Sequence, residues 1–488
     1  MKNSKVKILT AVLAVVGVSS LLGSCGTNSS VSSTGNADGS NLVTGGDGWV
    51  TYDSSVAMAT KTTIKYLTNR TDLDTDGTFT KYIAEFNKVE PNITVQVSSY
   101  TDYQGTVDKA LTSGSYGDVS MITLTDMTQL PTYYISYGTS DDMIKTGLYR
   151  NEYLYSKYYN GNVYGLPYMN TVGGIAYNTQ VFKDAGVDAS TLTTPEKFIA
   201  AMQAIKDSDN GLAKDCIPYY TNAKDGWTAN QWEDHFVNNV ITGDKDYANT
   251  HIAVDTNVWK KDADDPHYEG TKLYFDLIAK GLTEDDPTTT DWESSKVKIN
   301  NGKIGAMCMG NWAISQLQAA GDNPENIGYM PFPLMSKDGK THYANSGSDY
   351  AYGISNKIDD THKEASERFV MWMVEKSGFA ADQGGISVLK SEAMPTTLSA
   401  FSDCTFLVSN PAKSGCEDAR SATEASSKQT LYDNGTRFSK VVADATLEGK
   451  TYDQKLAAFD ADAASWNTAW ATAAAKVLKT YPDCAYTD

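Results

Sequence analysis

The sequence predicts an α/β fold divided into two lobes, and three observations carry that expectation. From about residue 62 the apolar residues alternate along short segments and recur at helical spacing between them, in the order strand, helix, strand, helix, strand. The chain is 488 residues long, more than one ordinary hydrophobic core, so it should divide into about two domains or lobes. Its opening reads instead as a secretion signal and a polar tether, outside the fold.

Lys2, Lys5 and Lys7 precede an apolar run from Ile8 to Leu22, and LGSC follows at residues 22–25. The run is short for a membrane span, and small residues before a cysteine form a site where a signal is cut and the cysteine acylated. The stretch resembles a bacterial lipoprotein signal. It predicts a signal peptide over 1–24 and lipid on Cys25 that holds the chain at a membrane surface. Residues 25–60 are rich in Ser, Thr, Gly, Asn and Asp without a sustained period, which predicts a flexible tether. The formal net charge is −19, and removal of a lysine-bearing signal makes the chain more acidic still. Such a surface argues against nucleic acid and against electrostatic docking on anionic lipid.

TIKYL, with Ile64 and Tyr66 alternating against polar residues, predicts the first strand of the fold. Ile83 and Phe86 set a helix from Phe79 to Val89, ITVQV a second strand, VDKALTSG a helix end and GDVSMITL a buried strand. In a right-handed α/β sheet, ligands collect beyond the carboxyl ends of the strands. DLDTDGTF, residues 72–79, falls at such an edge, between strand and helix. Asp72, Asp74, Asp76 and Gly77 imitate half of a calcium loop, but the closing glutamate position is Ile83 and the preceding element is a strand where a helix is required. Calcium is therefore not expected, and Asp76 or Thr78 is expected to cap the helix.

Tyr164 to Ile205 reads as a proline turn, a strand GGIAYN, a short helix, a glycine stop and a helix opened by Thr-Pro. With NNGKIGAMCMGNWAISQL at 300–317, IGYMPFPL at 327–334 and the stretch 365–396, it resembles the bacterial extracellular solute-binding proteins of ABC importers, in the carbohydrate branch. The resemblance implies a two-lobed periplasmic-binding-protein-like fold of type II, with hinge strands and a cleft that closes on a solute. It implies lobe 1 over 61–169 and 348–395, and lobe 2 over 172–343 and 400–488. The implied partners are a mono- or oligosaccharide and ABC permease subunits, with no cofactor and no metal.

Sugars offer hydroxyls and flat C–H faces, so a site for them needs polar side chains and exposed aromatic rings. The family positions place Trp312 of MGNW in the cleft from the second lobe. Trp227 and Trp232, after a polar Asp-Gly loop, and Tyr168, beside the crossover, join it, with core packing as the alternative for the two tryptophans. Core packing is the expectation for Trp372, Trp466 and Trp470. From the first lobe come Asn69, Arg70, Asp72 and Asp126, with a helix cap the competing role of each aspartate. Asn170, Gly384 and Gly385 follow by the same mapping. Arg70 is expected to hold Asp72 while leaving carboxylate lone pairs for a ligand.

Of six cysteines, Cys25 is assigned to lipid, Cys404 and Cys416 bracket a turn-rich segment compatible with a local disulfide, and Cys308 suits a buried thiol. The five histidines have no metal-ligand spacing. A surface glycoside hydrolase also combines carboxylates with aromatics. The chain has no G-x-S-x-G elbow, P-loop or zinc motif, so binding without catalysis leads. A polyamine, peptide or anion is the alternative ligand on the same fold.

Overall fold

A computed structural model describes residues 42–45, 49–52 and 56–485, apart from 125, 239, 262–265, 349 and 434. A hairpin of β1 (Leu42–Gly45) and β2 (Trp49–Tyr52) precedes β3 (Thr62–Thr68), β4 (Ile93–Ser99), β5 (Val119–Met121), β6 (Gly138–Thr139), β7 (Lys157–Tyr159) and β8 (Asn162–Pro167). There follow β9 (Asn170–Asn178), β10 (Ile217–Tyr219), β11 (Ile304–Gly310), β12 (Ile327–Pro331), β13 (His342–Ser348), β14 (Ala351–Ile354) and β15 (Cys404–Leu407). The strands separate into two sheets. One runs β4-β3-β5-β14-β8-β6 with β7 on β8, and the other runs β10-β11-β9-β13-β15 with β12 also on β9. The chain leaves the first sheet between Pro167 and Asn170 and returns to it between Ser348 and Ala351.

The predicted alternation decides the first sheet. Ile64 and Tyr66 are fully buried while their polar neighbours face out, and β3 pairs in parallel with β4 and β5. The helix Thr78–Val89 turns Phe79 and Phe86 into this core, and the edge-to-face contact of Phe79 with Tyr66 is part of that packing. Pro195 begins the helix Pro195–Lys206, whose N-cap Thr194 accepts the Lys197 N–H. Phe198, Met202 and Ile205 carry its apolar stripe into the second core. Trp372, Trp466 and Trp470 are buried as the helical spacing predicts.

Two expectations fail here. The tether was set over 25–60, yet the hairpin lies within that range, and Val56 and Met58 are tied to the body. Arg368 Nη1 donates to the Val56 carbonyl at 3.1 Å and to Glu90 Oε1 at 2.7 Å, while Met58 N donates to Glu90 Oε2 at 2.8 Å. A segment too polar to make its own core is held here by a buried ion pair from distant residues, which composition does not reveal. Residues 1–24 and Cys25 lie outside the described residues.

The second failure is the disulfide. Cys416 bonds Cys484, with 5.7 Å between their Cα atoms, and Cys404 is a free thiol. The 29-residue helix Tyr452–Thr480 packs along the helix Ala419–Ser427 and brings the Pro482–Cys484 turn back to Cys416. Cys404 is fixed in β15 by its parallel pairing with His342. Sequence proximity was the wrong guide, because a helix of this length returns the far end of the chain. Cys308 is a buried free thiol, as expected.

Candidate ligand-binding site

The registers Tyr66↔Val119 and Leu67↔Ser120 make β3 and β5 neighbours that end at the same edge, so the segments 69–76 and 122–124 that follow them leave from that edge. The connection after β3 is more than a loop: a short helix, Thr71–Thr75, precedes the turn at Gly77. Its three carboxylates diverge. Asp72 pairs with Arg70, Asp74 accepts from the Ser99 hydroxyl at 2.6 Å, and Asp76 accepts the Thr78 N–H at 2.8 Å, although the N-cap itself is Gly77 and neither Asp76 nor Thr78 occupies it. Among the described residues no cluster of three or more His, Cys, Asp or Glu is arranged for a metal.

Arg70 is the hinge of the polar side. Its Nε donates to Asp72 Oδ1 at 2.9 Å and its Nη2 to Asp72 Oδ2 at 2.7 Å and to Gln383 Oε1 at 2.9 Å. The Arg70 side chain is 11 % exposed and that of Asp72 43 %, so the guanidinium lies beneath and the carboxylate above it. Partial burial works to raise the Asp72 pKa, but the hydrogen bonds and charge of Arg70 outweigh it and hold the carboxyl below its usual range. Asn69 Oδ1 is buried without a hydrogen-bond partner, beside this pair. Asp126 is exposed and caps the turn Met127–Gln129 by accepting from the Thr128 N–H and hydroxyl, at 3.0 and 2.6 Å.

On the second sheet, β11 delivers Asn311 and Trp312 from its carboxyl end. Gly310 is required there: a Cβ at that position would lie 2.5 Å from Trp312 Cδ1, so only glycine lets the indole fold back over the strand end. Trp312 is half-buried, and its Nε1 donates to Gln231 Oε1 at 3.3 Å. It packs against Trp227 and Trp292 with ring centroids 5.9 and 5.5 Å away, and those two are 6.2 Å apart. The three indoles come from three separate segments. Trp227 opens the helix Trp227–Val237, and Trp292 opens Trp292–Asn300, where its backbone N–H donates to Asp225 Oδ2 at 2.7 Å.

Trp232 does not join them and is corrected to a core residue. Five positions beyond Trp227, it points to another face of the same helix. It is 1 % exposed, packed on Tyr219, Tyr274 and Phe332, with its N–H donated to the Gly270 carbonyl at 2.9 Å. Tyr168 is corrected likewise: it is 3 % exposed and packed on Tyr352 and Phe379, so its ring offers no open face.

Asn170, Gly384 and Gly385 meet at the chain crossover. Asn170 is fully buried, its Nδ2 donating to the Ile386 carbonyl at 3.1 Å and its Oδ1 accepting from the Ser348 hydroxyl at 2.7 Å. Gly384 has φ +70°, and its carbonyl accepts Asn311 Nδ2 at 2.6 Å; Asn311 Oδ1 in turn accepts the Val172 N–H at 2.8 Å. Gly385 lies tight against Met169. A continuous path of contacts therefore runs from Asp72 through Arg70, Gln383 and Gly384 to Asn311, next to Trp312. It joins the polar side to the aromatic side. Trp292, Gln231 and Gln383 escaped the sequence reading. The Asp291 cap before Trp292 was a local signal for the start of its helix, but nothing local marks its ring as a neighbour of Trp312.

Two α/β sheets linked by crossing strands, with hydrogen-bonding groups at one sheet edge and an indole platform at the other, define a binder of polar, ring-bearing solutes. The model of the bacterial extracellular solute-binding protein family matches residues 71–378, and the chain belongs to that family. It is similar to a binding protein of an ABC transporter from Bifidobacterium animalis subsp. lactis in complex with mannobiose, with 36 % identity over 85 % of this chain and 95 % of that one, TM-score 0.77. A manno-oligosaccharide specific solute binding protein of the same organism, in complex with mannotriose, is 33 % identical over 87 % of this chain and 97 % of that one, TM-score 0.78. The multiple sugar-binding protein of Streptococcus mutans is 26 % identical over 66 % of this chain and 73 % of its own length.

Proposed function

We propose that this protein captures a short oligosaccharide of the manno-oligosaccharide class outside the cytoplasm and passes it unchanged to an ABC import permease. The observation that carries the reading is the cluster of Trp227, Trp292 and Trp312 at the carboxyl end of β11, linked through Asn311 to the Arg70–Asp72–Gln383 set. An indole face covers the C–H side of a pyranose, and the carboxylate accepts its hydroxyls. The manno-oligosaccharides bound by two relatives of at least 33 % identity supply the sugar class.

The segregation of strands supports lobes over 61–169 with 348–395 and over 172–343 with 400–488, closing about the crossings near 168–170 and 348–350. Lipid on Cys25, the last residue of LGSC, accounts for retention at the membrane; no helix among the described residues is long and apolar enough to cross one. The family is one of binding proteins, and the reading takes the chain as having no enzyme activity.

Titration of the purified chain with mannobiose and mannotriose should give saturable binding and a melting temperature that rises with ligand concentration. Mass spectrometry of the recovered ligand should show it intact. Release of new reducing ends, abolished by changing a single carboxylate, would establish a hydrolase instead.

A further inference from the structure

Lys157 opens β7 and stands opposite Gly165 of β8. A Cβ at Gly165 would lie 2.9 Å from the Lys157 Cβ, so the absent side chain leaves room for the lysine stem to lie over the sheet. From there the ammonium reaches the Leu124 carbonyl at 2.7 Å. Leu124 lies three residues beyond the end of β5, at the strand edge that carries Asn69–Asp72, and two residues before Asp126. The side chain is half-buried and forms no ion pair among the described residues. The Asp126 carboxylate itself accepts from Thr128 and Gln129.

An ammonium carries three N–H donors and no acceptor, and the Leu124 carbonyl takes one of them. Withdrawal of such a group from water is costly unless its remaining donors are satisfied. Burial without a compensating carboxylate lowers its pKa to about 8.

We propose that Lys157 is a ligand-binding residue of the site, donating its remaining N–H groups to a hydroxyl or ring oxygen of the bound glycan. This rests on the carbohydrate reading and adds to it a donor on the polar side. Asp72 accepts hydrogen bonds, whereas Lys157 gives them. Between them, both roles of a sugar hydroxyl are met at one sheet edge.

The test is a cycle between protein and ligand, run by calorimetric titration of wild type and Lys157→Met with mannotriose and its monodeoxy analogues. Wild type should lose about tenfold or more in affinity for at least one analogue, and Lys157→Met about the same for mannotriose itself. The decisive result is that the sensitive analogue is bound no more weakly than mannotriose by Lys157→Met, because hydroxyl and donor are then already uncoupled. Equal losses in both proteins for every analogue would overturn the assignment and leave Lys157 as a support of the loop after β5. If Lys157→Met lacks a cooperative melting transition, Lys157→Leu, which likewise has no donor, carries the same cycle. Wild type that binds none of these glycans would overturn the carbohydrate reading itself, an outcome distinct from binding without coupling.

Discussion

The two sides of the site are built differently. On the first sheet, Asn69, Arg70 and Asp72 are consecutive or nearly so and follow one strand directly, and Arg70 and Asp72 make their principal contact with each other. On the second, Trp227, Trp292 and Trp312 are drawn from segments up to 85 residues apart in the chain, and each meets the others only because β11 and two helices converge. A polar pocket edge is written locally, since a strand end followed by charged residues fixes its position. An aromatic platform is a product of tertiary packing, and its members resemble core tryptophans until the fold is known. The contrast is sharpest on the single helix Trp227–Val237, where one indole belongs to the platform and the other to the core.

The largest expected effect separates those two roles. Trp232→Ala removes a side chain that is 1 % exposed and among the largest fully buried ones, so it should cost about 3–5 kcal/mol of stability. The protein that remains folded should bind mannotriose with near-normal affinity. Chemical denaturation and sugar titration on the same variant check both statements, and a selective loss of binding at full stability would return Trp232 to the site.

Trp312→Ala should do the reverse. Its indole is half-buried and rests on two others at the margin of the core that holds Trp292, so truncation removes one wall of the platform and leaves the fully buried residues in place. Affinity for mannotriose should fall by about 2 kcal/mol or more, on the order of 30-fold, with a smaller change in melting temperature. Normal affinity would show that the half-buried Trp227 and Trp312 only extend the core to which Trp292, 6 % exposed, already belongs. The comparison then loses its aromatic side.

These two tryptophans also show how far the sequence reached. Strands and helices of the first sheet, the Thr-Pro helix start and the core placement of Trp372, Trp466 and Trp470 all follow from periodicity and capping, which act over a few residues. Trp227 and Trp232 share one helix and one preceding loop. Five residues at about 100° each place them on different faces, but periodicity alone does not say which face meets the cleft. Tyr168 was misplaced because adjacency to the crossover says nothing of where its ring turns, and the ring turns into Tyr352 and Phe379. Trp292, Gln231 and Gln383 were invisible for the same reason. Their relevance lies in contacts across 81 residues in the case of Gln231 and Trp312, and across 313 in that of Arg70 and Gln383. The disulfide failed by the same logic, since Cys416 and Cys484 stand 68 residues apart.

The smallest expected effect tests the polar side, and its sign follows from Arg70. In the folded protein the Asp72 carboxyl titrates below its ordinary value of 3.8, because the guanidinium beneath it outweighs partial burial. A group depressed in this way keeps its charge, and the stability its ion pair contributes, above that ordinary value, and loses both as pH falls through the folded pKa. If Asp72 accepts a sugar hydroxyl as a carboxylate, mannotriose affinity should be flat from pH 7 to pH 5 and weaken only below about pH 4. Asp72→Asn keeps the shape, loses the charge and leaves Arg70 to Gln383, so it should weaken binding by roughly tenfold at pH 7 and remove the acid limb. A tenfold loss between pH 6 and pH 5 in wild type would assign the acceptor to another group. An unchanged affinity in Asp72→Asn would reduce Asp72 to a partner of Arg70, and the polar side would then rest on Asn69 and on the donor at Lys157.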